Sequence, residues 1–141
     1  MLNFLSLSVA LIGLASSPQA TAPSLDRPCS FISAADMSDL VGTRVTGATD
    51  EKFRCKYALG SGWLETKLMD FSLRASKDIF DYNKNRGQAV AGLGDQSYVL
   101  GATLATRLGD VLIVVDGSNA PRPPDNAKLK AIAERIVRQI P

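Results

Sequence analysis

Two cysteines, Cys29 and Cys55, are the only ones in a 141-residue chain that contains no histidine, and this pair constrains the fold more than any other feature. What the pair means depends on the compartment, and the first residues speak to that. Leu2 to Ala15 is almost wholly apolar, and Ser16 to Ala22 is small or polar. An apolar stretch followed by a small-residue cleavage zone is the profile of a secretory signal. A membrane-spanning helix needs about 20 apolar residues, more than this run holds. We therefore expect a signal peptide over 1–22, cut after Ala15, Ala20 or Ala22, and a single globular domain over 23–141, periplasmic or secreted. In an oxidising space an even cysteine count reads first as a disulfide. The rivals are two buried free thiols and a metal site, but zinc asks for four ligands, commonly Cys and His. Closing the loop from Cys29 to Cys55 is worth about 3–4 kcal/mol in the chain-entropy model. That is a large share of a typical stability of about 5–15 kcal/mol.

The patterning beyond Cys29 alternates between helical and strand-like periods. Ser33 is a natural N-cap, Asp36 stands three residues on, and Ile32 and Met37 are placed as a hydrophobic staple. Met37, Leu40 and Val41 give the apolar stripe of a short helix that Gly42 ends. Arg44 to Thr46 is a candidate strand. Phe53, Cys55, Tyr57 and Leu59 alternate with Arg54, Lys56 and Ala58, the period of a half-buried strand. Gly60-Ser61-Gly62 turns the chain back, so 53–73 reads as a hairpin with Phe53, Cys55 and Tyr57 facing inward. Ser76 is positioned to cap a second helix over 77–86 carrying Ile79, Phe80 and Tyr82. Three strands follow, at 98–100, 103–108 and 111–116, and the all-apolar run Val111 to Val115 predicts a central strand covered on both sides. Leu129, Ile132, Ala133, Ile136, Val137 and Ile140 keep the spacing of an amphipathic helix. The order α-β-β-β-α-β-β-β-α, with hairpin-length links, predicts an α+β fold. We expect a largely antiparallel sheet of about five or six strands with three helices packed on it.

These residues also carry a resemblance. Pro28-Cys29-Ser30, the Ser33-capped helix, Cys55-Lys56-Tyr57, Gly92-Leu93-Gly94-Asp95, Leu108-Gly109-Asp110 and the closing amphipathic helix resemble a family of small exported bacterial domains. Many of its members are actinobacterial cell-envelope lipoproteins of unknown function. The likeness spans 28–140. It implies a PsbP-like α/β/α sandwich and a Cys29–Cys55 bridge, and it brings no activity, catalytic residue or cofactor. No Cys stands at the end of the apolar run, so the lipid anchor of the lipoprotein members is not expected here.

Few catalytic chemistries find their residues in this chain. Without His the usual nucleophile–base triads are ruled out, and neither Ser-x-x-Lys nor Gly-x-Ser-x-Gly occurs. Gly92-x-Gly94 lacks the third glycine and the Lys-Ser/Thr ending of a phosphate loop, so it reads as a tight turn. Asp78 and Asp81 lie three apart on the second helix, where solvation of the helix and its dipole explains them. With 16 basic and 14 acidic residues the net charge is +2, unlike the strong basic excess of a nucleic-acid binder. We expect no enzyme, no cofactor and no metal.

What is left is surface. Lys52, Arg54 and Lys56 fall on one face of a strand, with Glu51 and Glu65 as candidate neighbours, and form a possible cationic stripe. Trp63 and Tyr98 stand near turns, where aromatic side chains anchor partners. The expectation is a non-enzymatic binding or accessory domain of the cell envelope, engaging an envelope protein or component through these five residues. The alternative is a small-ligand or lipid carrier with a cleft between sheet and helices.

Overall fold

The computed structural model describes residues 22–141; the expected signal peptide lies outside them but for its last residue. A 3₁₀ turn at Pro28–Ser30 leads into helix α1, Ala34–Val41. Strands β1 (Gly47–Glu51), β2 (Arg54–Ala58) and β3 (Trp63–Asp70) follow, then helix α2, Arg74–Lys84. Strands β4 (Gln88–Ala89), β5 (Gln96–Leu100), β6 (Thr103–Leu108) and β7 (Val111–Asp116) precede helix α3, Asn126–Val137.

The α+β expectation holds, with seven strands in place of five or six. They form one antiparallel sheet in the order β1-β2-β3-β7-β6-β5-β4. The additional strand, β4, is a two-residue edge too short to leave a period in the sequence. The remaining strand of the first meander falls at 47–51 and not at 44–46. Chain neighbours pair throughout, except that α2 carries the chain from β3 in the middle to β4 at the far edge. β7 then returns to pair with β3, which makes it the fourth of seven strands and central as its all-apolar run predicts.

Register assigns the two faces. The cross-strand line Cys55, Thr66, Val115, Leu104, Val99 lies on the first face. Helices α1 and α3 cover it through Met37, Val41, Leu129, Ile132, Ala133 and Ile136, all buried. Apart from Ala133, each of these side chains contributes about 1.5–3 kcal/mol when removed from water. Helix α1 starts where Ser33 accepts a hydrogen bond from the Asp36 amide at 3.0 Å. It ends at Gly42, whose φ of 71° is open to glycine at little cost. The Asp36 carboxylate reaches outward to Arg135 of α3 at 3.2 Å, an exposed ion pair linking the two helices at the surface.

The second face is covered on one side only. Helix α2 packs Phe80 against Phe71 and Tyr98, with centroids 5.5 and 5.1 Å apart, above Ala105 and Leu112. α2 departs from the expected 77–86: it begins at Arg74, behind Leu73, with no side-chain cap. Only Phe80 is buried in it, whereas Ile79 and Tyr82 are 60% and 66% exposed. A lone helix on a twisted sheet touches along one narrow line, and Phe80 occupies that line.

Cys29 and Cys55 form the expected disulfide, with Cα atoms 4.8 Å apart. It fastens the 3₁₀ turn to β2 on the first face. The Cys29 amide also donates to Asp50 of β1 at 2.7 Å.

Candidate functional site

On the second face, register brings together residues far apart in sequence. One cross-strand row is Thr49, Lys56, Glu65, Asp116 and Thr103; the next is Glu51, Arg54, Lys67 and Val114. Trp63 lies beside the first row, opposite Ala58. Helix α2 stops short of this half of the sheet, so charged side chains stand there on an open floor.

Glu65 organises them. Its Oε1 accepts from the Trp63 indole Nε1 at 2.6 Å and from Arg54 Nη1 at 3.3 Å, and its Oε2 lies 3.6 Å from Lys67 Nζ. Arg54 also donates through Nε to Glu51 at 2.6 Å. The Lys56 ammonium sits 4.1 Å over the centre of the Trp63 ring, a cation–π contact. The Glu51 hydrogen bond, followed by the charge of Glu65, raises the Arg54 pKa still further, so its guanidinium stays charged. Glu65 is 4% exposed although no helix covers it; its own partners roof it. The accessible skin of this half-face therefore carries Arg54, Lys56, Lys67 and the Trp63 ring, with Glu51 partly exposed beside Arg54, laid over the buried Glu65 carboxylate. Asp116 closes the row: burial works to raise its pKa, and hydrogen bonds from Ser118, with Lys67 and Thr103 nearby, outweigh it and hold the carboxyl below its ordinary value.

At the lower rim the Lys52–Phe53 turn joins β1 to β2. The Arg54 amide bonds back to Lys52 and the Leu68 amide bonds to the Phe53 carbonyl, so the strand begins at Arg54. This corrects the inward placement of Phe53, whose ring is 58% exposed; Cys55 and Tyr57 keep their inward positions. Openings of about 540 and 430 Å³ flank the ring. Among the described residues no three Cys, Asp or Glu side chains gather as metal ligands would.

Of the five candidate surface residues, Arg54, Lys56 and Trp63 meet on the open half-face. Lys52 stands in the exposed turn beside it. Tyr98 does not belong to the surface: it is 6% exposed and lies under Phe80, because its strand is the one α2 covers. Glu51 and Glu65 are neighbours of the cations as expected, with Glu65 at the centre. Two further members were not among the candidates: Lys67, which shares the parity of Trp63 and Glu65 within β3, a signal the sequence carries, and Asp116, which joins only through the β3–β7 register. Comparison of the chain with family models, with curated proteins and with solved structures returned no match.

Proposed function

We propose that this chain is an exported, non-enzymatic binding domain of the cell envelope that docks a protein partner through the uncovered half of its sheet. The observation that carries this reading is the buried Glu65, which holds Trp63, Arg54 and Lys67 in one fixed layer on a face no helix covers. Arg and aromatic side chains dominate binding energy at protein interfaces, and anchors held in place before contact lose less entropy on docking. The exposed Phe53 adds an apolar anchor at the rim. Helices on both sides of one antiparallel sheet are in keeping with a PsbP-like sandwich, and the disulfide is compatible with an oxidising compartment. The alternative of a carrier with a deep cleft is less favoured, because side chains such as Met37, Ile132 and Ile136 fill the space between the sheet and α1 and α3.

A photo-crosslinking residue at Thr49, on the open face, tests this against one at Arg138, exposed just past the end of α3. The expected result is a discrete adduct from Thr49 alone, lost when Trp63→Ala and Arg54→Ala are combined. Adducts that form equally from both positions, or that ignore the double substitution, would overturn the reading.

A further inference from the structure

At the end of the sheet opposite Phe53, a cavity of about 410 Å³ opens where the end of α1, the turn between β2 and β3, and the loop from β7 to α3 meet. Its floor is aliphatic: Val41, Leu59, Leu64 and Ala120 are all buried. Its rim is polar and cationic, carrying Thr43, Arg122 and Lys128. Among the described residues neither cation has a carboxylate within ion-pair distance. The Asp125 carboxylate, three positions before Lys128, is engaged as the cap of α3, accepting from the Lys128 amide at 2.9 Å.

The wall of this cavity is preformed. Three prolines, Pro121, Pro123 and Pro124, stiffen the loop. Hydrogen bonds from the Trp63 amide to Asn119 at 3.1 Å and from the Gly117 amide to Ala102 at 2.9 Å fasten it to the sheet. A ligand therefore meets a shaped site.

We propose that this cavity binds the C-terminus of an extended peptide, with the last aliphatic side chain on the floor and the carboxylate between Arg122 and Lys128. Two unpaired cations above an aliphatic floor call for an anion attached to an apolar group. The volume lies near the lower end of small-molecule sites, about 300–1,000 Å³. That suits a residue or two, and the Thr43 hydroxyl offers a donor to a peptide carbonyl. This reading does not rest on the docking face: the cavity takes Leu64 from the first face of the sheet, whereas Trp63, the next residue along β3, turns to the second.

Titration of the purified, disulfide-bonded chain, labelled with ¹⁵N, with acetyl-Gly-Ala-Leu as the free acid tests it. Saturable shifts are expected at the amides of Val41, Thr43, Leu59 and Ala120. The same peptide as its C-terminal amide should bind about tenfold more weakly, the effect of losing a charge-assisted hydrogen bond. The double substitution Arg122→Ala and Lys128→Ala, at exposed positions that leave the core untouched, should cost the acid a similar factor and the amide little. Equal binding of acid and amide, unchanged binding by the double variant, tighter binding of octanoate than of the peptide, or no saturable shifts up to millimolar concentration would each overturn the proposal.

Discussion

A carboxylate with 4% exposure on an uncovered strand face is costly unless its charge is fully answered, since desolvating an unpaired ion outweighs most single contacts. Glu65 is answered by an indole N–H, a guanidinium and an ammonium. Glu65→Ala leaves the indole donor and both cations without their common partner, and should lower stability by about 1–3 kcal/mol. Glu65→Gln keeps an acceptor for Trp63 and should lose less; urea unfolding followed by Trp63 fluorescence measures both. On the other face the Tyr57 hydroxyl donates to the Ile32 carbonyl at 2.8 Å, and burial pushes its pKa above the ordinary 10.0. A group raised on folding lends stability in full below its unfolded pKa and loses it as pH rises beyond. Unfolding midpoints should therefore fall above about pH 10, and Tyr57→Phe, though less stable at neutral pH, should show a shallower alkaline decline. Parity within one strand made Arg54 and Lys56 legible as companions. Lys67 shares the parity of Trp63 and Glu65 within β3 and was legible in the same way, whereas Asp116 was not, because its place depends on a register set by the rest of the sheet.

Among the elements, α1 and α3 were legible because cap, stripe and stop agree for the first, and a long apolar spacing marks the second. α2 was legible in kind and misplaced in its start. Its stability comes from Phe80 against Phe71 and Tyr98, so tertiary packing, rather than a capping hydroxyl at Ser76, decides where it begins. The Gly92–Asp95 segment is a docked turn as its glycines suggest. The Ser97 hydroxyl donates to the Leu93 carbonyl at 2.6 Å, and the Gly109 amide donates to the Asp95 carboxylate at 2.8 Å. Gly94 has a φ of 56°, and a Cβ there would meet Thr106 Oγ1 and the Arg107 carbonyl. Gly94→Ala should therefore destabilise by well over the about 1 kcal/mol that glycine-to-alanine changes at positive φ commonly cost. Gly92→Ala, with open space around it, should cost only the backbone strain; thermal unfolding of the two variants separates these effects.

For the whole molecule, the covalent link and the order of the strands set the architecture. Reduction of Cys29–Cys55, or Cys29→Ser with Cys55→Ala, should remove about 3–4 kcal/mol by the chain-entropy model for a separation of 26 residues. Denaturant midpoints with and without reductant measure it, and mass spectrometry of the chain purified without reductant should find no alkylatable thiol. The α+β class and the central position of β7 were legible from patterning. The β3–β7 pairing was not, because it joins segments that the hairpin rhythm of the sequence never brings near one another.

That pairing has a kinetic consequence. β1 to β3 and β4 to β7 are each stitched by tight local turns, so either meander has nearby contacts to form before the other is involved. The seam between them must instead be found by a diffusive search across the length of α2 and the second meander, with the loop-entropy penalty that slows non-local pairing. We expect assembly of the interior to wait on this pairing, with the edges of β3 and β7 bare until it forms and open to mispairing with neighbouring chains.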